Sequence, residues 1–457
     1  MAVPRIDRLD DAIGKHLERL VVAHHRRRLK RHGWAHAFEP TGDELWCAGE
    51  PPPRDGNRLD VLVDGEDALG RLEADLVAAR ESVFLAGWHF EPGFRLSHGG
   101  PTLRELLAGL GVPVRMLAWA GAPLPLFTPS RARVRREREE LVQGTRIRMA
   151  LDSKQRPMHC HHEKLAVVDG RIAYVGGIDL TALAGDRVDE RGHPLRQGLG
   201  WHDAAVRIEG PLVADVAEHL ALRWREVTGE HVDVPRDETP RGEVRAQFVR
   251  TVPNNVYDAL PKGEFRIFEA YVRAFRSARE LVYIENQFLW APELVEILVD
   301  KLRNPPTDEF RLVVLLPARP NNGNDDTRGQ LGVLVDADRD DRLLACTLYQ
   351  PDRHNQVYVH AKIGIVDDRW LCIGSANLNA HSLFNDTEAC VITCDEKLAR
   401  AARLSLWGEH LDGDEVSFDR WRERAKDPSF QTLELLPHVS RRARRVLGPL
   451  NGLLVDG

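Results

Sequence analysis

The chain has 457 residues, which is enough for two or three domain-sized units with an ample core. Hydrophobic residues make up 43% and charged residues 29%, as in ordinary soluble globular proteins, and the net charge of −7 argues against a dedicated nucleic-acid binder. Six scattered cysteines without CxxC spacing give neither a disulfide framework nor a zinc-ribbon pattern, and they fit a reducing compartment.

The N-terminal residues 5–32 carry apolar side chains at helical spacing and predict a helix. The segment has no signal-peptide core, and no run of about 18 apolar residues predicts a transmembrane helix. We therefore expect a cytoplasmic monomer. The basic cluster Arg26–Arg31 is either a solvated helix end or a peripheral contact with anionic lipid at the inner membrane face. A proline-rich break at Glu50–Asn57 ends this N-terminal extension, residues 1–56.

Residues 57–230 alternate predicted strands and helices, which indicates an α/β fold class. A strand is also expected to carry His162, and another opens at Trp201. The other predicted strands are Leu59–Val63, Val83–Trp88 and Val114–Trp119, and the predicted helices are Ala68–Ala79, Arg131–Val142 and Pro211–Trp224.

A segment rich in proline, glycine and charge, Val227–Glu243, separates this first half from a second half at residues 244–418. A strand bearing His360 is expected in the second half. Residues 419–457 form a basic tail, for which we prefer a solvated helical face. The other elements predicted in the second half are the strands Val244–Arg250, Val282–Asn286 and Phe310–Leu316 and the helix Phe265–Arg279.

One pattern, His-x-Lys followed by an apolar run and an aspartate, occurs once in each half. A long internal repeat of this kind predicts two like halves in one chain. The first copy is His162, Lys164 and Asp169, and the second is His360, Lys362 and Asp367. At the same offset, Gly176, Gly177 and Asp179 correspond to Gly374, Ser375 and Asn377.

The histidine and lysine of each copy are two residues apart, so on a strand they project from the same face. A neutral imidazole can attack phosphorus and form a covalent intermediate, and a second imidazole can protonate the leaving alkoxide. Two lysines can stabilise the charge on the non-bridging oxygens. Two halves that meet across a pseudo-two-fold axis would supply both pairs, and no metal or cofactor is required.

Each imidazole also needs a partner that fixes its tautomer, and Asp203 and Glu388 are the candidates, unless they are surface carboxylates at strand ends. Sequence register groups Asp203 with His162 and Glu388 with His360. Asp169 and Asp367 belong to the catalytic motif. They lie five residues past the lysines and lead into turns, so we expect them to hold structure more than to take part in chemistry.

Gly177 and Ser375 are small, and we expect them to let the backbone approach a phosphate closely. A metal site within His159–His162 is a competing hypothesis. Consecutive strand residues alternate faces, so at most two of these four could converge, and the sequence offers no partner cluster for a structural zinc.

With these motifs the sequence resembles the phospholipase D superfamily, and the segments Trp201–Asp203 and Tyr283–Phe288 look like phospholipase D proper. The resemblance implies two similar halves with the active site at their interface. It also implies that His162 is the nucleophile, that His360 is the acid and base, and that Asp179 and Asn377 lie beside them. One departure is His381-Ser382, where the family often has Arg-Ser.

The resemblance implies a phospholipid substrate and a phospholipase D-type activity, either hydrolysis or transfer of the phosphatidyl group to an alcohol. A cardiolipin-synthase-like transferase is the alternative. The acidic net charge disfavours a nuclease, and the intact motif positions disfavour an inactive scaffold. The apolar loop Ala122–Phe127 is expected either to pack on the core or to insert at a lipid interface.

Overall fold

The computed structural model describes residues 5–123, 127–156, 158–184, 200–234, 236–320, 324–350, 356–413, 416–427, 429–430 and 432–436. It opens with the helix α1 (Arg5–Arg31). Elements of the first half follow: β1 (Arg54–Val63), α2 (Asp64–Ala78), β2 (Val83–Gly87), α3 (Leu103–Gly109), β3 (Val114–Trp119), α4 (Arg131–Val142), β4 (Arg148–Asp152), β5 (Lys164–Val168), β6 (Ile172–Gly176), β7 (Gly200–His202), β8 (Ala204–Glu209) and α5 (Leu212–Thr228).

The second half repeats this alternation of strands and helices. It comprises β9 (Val244–Val252), β10 (Glu264–Phe265), α6 (Arg266–Ser277), β11 (Leu281–Glu285), α7 (Pro292–Arg303), β12 (Arg311–Leu315), α8 (Asn324–Ala337), β13 (Leu343–Tyr349), β14 (Gln356–Val359), β15 (Ile363–Val366), β16 (Trp370–Gly374), α9 (Ala380–Phe384), β17 (Glu388–Thr393), α10 (Glu396–His410), α11 (Phe418–Lys426) and β18 (Leu433–Leu435).

Seven strands of each half pair in the same order. The first sheet runs β4-β3-β2-β5-β6-β8-β1, and the second runs β13-β12-β11-β15-β16-β17-β9. The first three strands of each order are parallel to one another, and the remaining neighbours are antiparallel. β1 also pairs with β9, which joins the two sheets. The predicted α/β fold with two like halves is confirmed.

The largest core cluster draws on both sheets. Leu165 and Val167 of β5 belong to it together with Ile363 and Ile365 of β15. Successive strand residues point to opposite faces, so Ala166 and its alternate neighbours instead join a second cluster with α2 and α3. α6 and α7 cover the second sheet in the same way. The motif strands are therefore covered on both faces, which explains their continuous apolar runs.

The two halves exchange short backbone pairings beside the motifs. β7 belongs to the first half by sequence but runs parallel to β14, with His202 opposite Val359. The reciprocal bridge is parallel as well and joins His161 to Thr387. These two pairings fix the segment before each motif histidine to the opposite half.

The N-terminal helix packs on the second half. The Arg28 guanidinium donates hydrogen bonds to Asn254 Oδ1 at 2.7 Å, Asn385 Oδ1 at 2.8 Å and the Phe384 carbonyl at 2.8 Å. His25 lies 2.7 Å from Glu293 of α7. The basic cluster is therefore not uniformly solvated, since Arg28 is buried while its other described arginines and lysine remain exposed. Among the described residues, no helix has the length and apolar character needed to span a bilayer.

The C-terminal segment differs in part from the predicted tail. Trp421 of α11 is fully buried, and β18 pairs with β13 in antiparallel fashion, so residues up to Leu435 continue the second half. The basic run Arg441–Arg445 lies outside the described residues. In the loop Ala122–Phe127, residues 124–126 also lie outside them. Ala122 is buried and Phe127 packs beside it, which supports packing on the core.

Candidate active site

His162 is held by the second half of the chain. Its Nδ1 lies 3.0 Å from Oε1 of Glu388, at the start of β17, and its backbone N–H donates to the Thr387 carbonyl at 2.9 Å. Both side chains are buried. A carboxylate in this position can accept the Nδ1 proton and leave the Nε2 lone pair available.

His360 is held by the first half in the reciprocal way. Its Nδ1 lies 2.5 Å from Oδ2 of Asp203, and its backbone N–H donates to the His202 carbonyl at 2.7 Å. The grouping by sequence register was therefore wrong, because each histidine takes its carboxylate from the opposite half. The short parallel pairings beside the motifs enforce this exchange.

The two motifs share one electrostatic environment. Burial lowers the pKa of His360 well below its usual value, and the charges of Lys362, Lys164 and His162 lower it further, in that order. Groups from both motifs therefore lie close enough to act on the same imidazole. This proximity is what a single site between the two halves requires.

The two orienting carboxyls are strongly desolvated. Burial raises the pKa of Glu388 to about 8, although the Lys164 charge and hydrogen bonds from Ser375 and Ser382 act in the opposite direction. Burial likewise raises the pKa of Asp203 to about 6, and the Lys362 charge opposes it most. Proton positions in this site are consequently sensitive to pH near neutrality.

The lysines have different neighbours in the two halves. Lys164 Nζ donates to the His162 carbonyl at 2.6 Å and lies 3.0 Å from Oδ2 of Asp179. Lys362 Nζ donates to the His360 carbonyl and approaches Gln287 Oε1 at 3.4 Å.

In the second half, Lys362 and Asn377 both approach the side-chain oxygen of Gln287. Asn377 Nδ2 also donates to Gln287 Oε1, at 3.3 Å, so an amide pair stands beside Lys362 where Asp179 stands beside Lys164. Gln287 lies in the segment Tyr283–Phe288, whose family resemblance was the only sequence signal for it.

The small residues of the two motifs lie beside the orienting carboxylates, and their expected approach to a phosphate stays a prediction. A Cβ added to Gly177 would lie 2.8 Å from Cγ of Asp203, so only glycine leaves room for that carboxylate. Its counterpart Ser375 donates a hydrogen bond to Glu388 and accepts one from the Ala389 N–H at 3.1 Å.

Asp169 and Asp367 follow the far ends of β5 and β15, one full strand away from the motif lysines. Both adopt positive φ, 54° and 52°. The carboxylate of Asp169 accepts backbone N–H groups of Arg80, Glu81 and Ser82 at 2.7–2.9 Å. Asp367 does the same for Arg279, Glu280 and Leu281. Both carboxylates thus fix turns, in line with the structural role that we expect for these members of the catalytic motif.

Sequence reasoning missed several residues near the motifs. Ser382 donates to Glu388 Oε1 at 2.6 Å, and the ring of Trp201 lies 5.1 Å from that of His360 and 4.7 Å from that of Tyr358. Trp201 lies in the segment Trp201–Asp203 that resembles phospholipase D, but no sequence pattern predicts its contact with His360. Among the described residues, three groups have donors that could hold a metal ion, and every member except the half-buried Glu409 is buried: His159, His381 and Asp386; His202, Glu285 and His410; and Asp64, His202 and Glu409.

Comparisons with known proteins agree with this geometry. Residues 271–406 match the family described as "Cardiolipin synthase, PLD-like domain". Over 466 residues the chain is 25% identical to phospholipase D A of Dictyostelium discoideum, an alignment that covers 79% of this chain and 36% of that protein. Over 387 residues it is 25% identical to the major cardiolipin synthase ClsA of Bacillus subtilis (strain 168), covering 80% of this chain and 72% of that protein. Residues 271–406 therefore carry a PLD-like domain, and the chain is similar to phospholipases D and cardiolipin synthases.

A solved structure supports the same fold. The phosphatidylserine synthase of Haemophilus influenzae Rd KW20 superposes with a TM-score of 0.53 at 10% identity, covering 76% of this chain and 84% of that one. The matched family segment contains the second motif, and the first motif occupies the equivalent place in the paired half. The chain therefore carries the doubled motif on two like sheets.

Proposed function

We propose that the chain cleaves the distal phosphodiester of glycerophospholipids as a phospholipase D-type enzyme. The observation that carries the proposal is the reciprocal pairing of His162 with Glu388 and of His360 with Asp203. Two buried imidazoles, each oriented by a carboxylate from the other half, suit a reaction that needs one nucleophile and one proton carrier.

In the first step, Nε2 of His162 attacks phosphorus while the proton on Nδ1 of the same ring stays hydrogen-bonded to the Glu388 carboxylate. A phosphorus–nitrogen bond forms and the bond to the head-group oxygen breaks. The protonated imidazole of His360 gives its proton to the departing alkoxide. In the second step, neutral His360 takes a proton from water or an alcohol, whose oxygen attacks phosphorus and restores free His162.

Substrate binding itself prepares His360 as an acid. The lysine charges lower the pKa of this imidazole in the free protein, after the larger effect of burial. A phosphodiester anion bound between Lys164 and Lys362 would offset those charges, so the imidazolium becomes easier to form when substrate is present. The lysines also stabilise the charge that develops on the non-bridging oxygens.

We propose that the enzyme reaches its substrate at a membrane surface. Arg27, Lys30 and Arg31 are exposed on α1, while Arg28 is committed to contacts within the protein. Exposed basic residues on one helix attract anionic head groups by about 1 kcal/mol each. Lipid, and not nucleic acid, is the partner that we infer.

A cardiolipin-synthase-like transferase is the second candidate, and the family match and the Bacillus relative favour it. In that reaction a lipid alcohol takes the place of water in the second step. Both activities start from the same covalent intermediate, so the four central residues have the same roles in each.

The deciding experiment supplies vesicles of labelled phosphatidylcholine, phosphatidylethanolamine or phosphatidylglycerol, with and without added ethanol. Hydrolysis yields phosphatidic acid, transfer yields phosphatidylethanol, and a transferase of the second type yields cardiolipin from phosphatidylglycerol alone. His162→Ala and His360→Ala should abolish each product, and the exposed His231→Ala is the matched control. Cleavage of nucleic acid without turnover of any lipid would contradict the proposal.

A further inference from the structure

A second buried cluster joins the two halves close to the active site. Nδ1 of His159, in the segment before β5, lies 2.9 Å from Nδ1 of His381 in α9. Nδ1 of His159 also lies 3.4 Å from Oδ1 of Asp386, in the turn before β17. All three side chains are buried, and their donor atoms lie within 4.8 Å of one another.

Hydrogen bonding alone leaves this cluster incomplete. Only one proton can lie between the two Nδ1 atoms, so one of the facing nitrogens must present a lone pair. Oδ1 of Asp386 accepts the Cys160 N–H at 2.8 Å. Its Oδ2 is buried and has no hydrogen-bond partner among the residues that the structure describes. A buried carboxylate oxygen without a protein partner beside two converging imidazole nitrogens forms a donor set that a cation can satisfy.

We propose that His159, His381 and Asp386 bind a transition-metal dication, for which Zn²⁺ is the best match. Two imidazole nitrogens and one carboxylate oxygen are donors that zinc takes readily, whereas Mg²⁺ and Ca²⁺ favour oxygen-only sets. Tetrahedral coordination with bonds of about 2.1 Å would separate the two nitrogens by about 3.4 Å. The observed 2.9 Å needs an opening of only a few tenths of an ångström.

The other two groups with metal-ligand donors are explained without an ion. His202 stands between carboxylates, 3.0 Å from Asp64 and 2.8 Å from Glu285, and His410 lies 2.8 Å from the same Glu285. A carboxylate facing each ring nitrogen of His202 favours a ring that donates from both, and such a ring has no lone pair for a metal.

The inferred ion would fasten the halves without entering the reaction. His159 precedes His162 by three positions, and Asp386 precedes Glu388 by two. An ion held by these residues would fix the two segments whose approach creates the His162–Glu388 pair. Its fourth coordination position would remain for water, as in other sites with three protein ligands. This inference does not depend on the identity of the lipid substrate.

The test measures metal binding directly on the full chain. Stripped protein is titrated with Zn²⁺ and, separately, with Co²⁺, whose visible absorption reports nitrogen ligation in a four- or five-coordinate site. We expect one saturable ion per chain, a nitrogen-ligated Co²⁺ spectrum, and a higher melting temperature with Zn²⁺. His381→Ala and the isosteric Asp386→Asn should weaken binding at least tenfold, while His231→Ala, beside the exposed Asp233, should not.

Two results would overturn the site. One is the absence of a saturable, nitrogen-ligated Co²⁺ species in the wild-type protein, which needs no variant. The other is unchanged affinity in Asp386→Asn protein with a wild-type circular dichroism spectrum. Lipid turnover can fail while metal binding persists, or the reverse, so this proposal and the proposed function are tested separately.

Discussion

Nδ1 of His162 lies 3.0 Å from Oε1 of Glu388, which stands 226 positions later in the other half. The reciprocal pair, His360 and Asp203, is separated by 157 positions. Each half thus contributes a histidine to its own motif and a carboxylate to the other motif. Replacing one carboxylate should therefore impair the histidine of the opposite half.

Asp203→Asn and Glu388→Gln should consequently affect different chemical steps. With lipid substrates both should lose about 10²–10⁴-fold in turnover, since each disturbs one proton-transfer or nucleophilic role. With a p-nitrophenyl phosphodiester, whose leaving group needs no proton, Asp203→Asn should still release a burst of nitrophenol. Glu388→Gln should not, because it acts on the nucleophile. Stopped-flow absorbance measures the burst, and equal bursts would contradict the crossed assignment.

The covalent intermediate should form on His162. With the same activated substrate, His360→Ala should accumulate the adduct because its release lacks a base, while His162→Ala should form none. Rapid-quench mass spectrometry of peptides locates the modification. An adduct on His360 in the wild-type protein would reverse the assignment, and no adduct in any variant would favour direct displacement.

The pH profile should depend on the hydroxyl of Ser382. Burial raises the pKa of Glu388 to about 8, and the Ser382 hydrogen bond stabilises the ionised form. Ionised Glu388 accepts the Nδ1 proton of His162, so activity should rise with pH through this pKa. Ser382→Ala removes the donor, raises the pKa further, and should move the rising limb of kcat/KM about one unit toward higher pH. Ser277→Ala, whose hydroxyl bonds Ala274 in α6, is the control, and an unmoved limb in Ser382→Ala would argue against the link.

Turnover should survive exhaustive chelation. No proposed step passes through a metal ion, and the Ser382–Glu388 and His162–Glu388 hydrogen bonds do not need one. Assays at a temperature well below unfolding should retain most activity after chelation, even where the melting temperature falls. Activity that is lost and then restored only by a divalent cation would contradict this prediction and show that turnover depends on the ion.

Charge on α1 should govern binding to anionic vesicles. Neutralising Arg27, Lys30 and Arg31 to glutamine together should weaken partitioning about a hundredfold at low salt, from about 1 kcal/mol for each charge. Arg28→Gln is the matched comparison, because its guanidinium bonds Asn254 and Asn385. That variant should instead lower the melting temperature. Co-sedimentation with vesicles measures the binding of both variants. Unchanged binding by the triple variant would contradict the proposal that α1 docks on the membrane.

The sequence revealed the repeat, and hence the fold, because motif residues and apolar strands recur at one offset. The strand pairs follow from that recurrence, as Leu165 and Ile363 show by facing the same core. The contact between Asp203 of the first half and His360 of the second half does not follow from that recurrence. The offset between the two halves shows which residues correspond. It does not show which half supplies the partner of a given residue.

The same limit applies to two other contacts. The contact between Gly177 and Asp203 is one of them, because only the folded chain brings these two residues together. For the run His159–His162, the neighbouring sequence offers no further candidate metal ligands. His381, the partner of His159, stands 222 positions away.

The exchanged carboxylates also constrain how such a chain can change over generations. A substitution near Asp203 acts first on His360, and a substitution near Glu388 acts first on His162. Neither half can acquire a new specificity alone, since every adjustment must be tolerated by a histidine in the other half. Compensating changes are therefore expected across the halves, between each carboxylate and the histidine that it contacts.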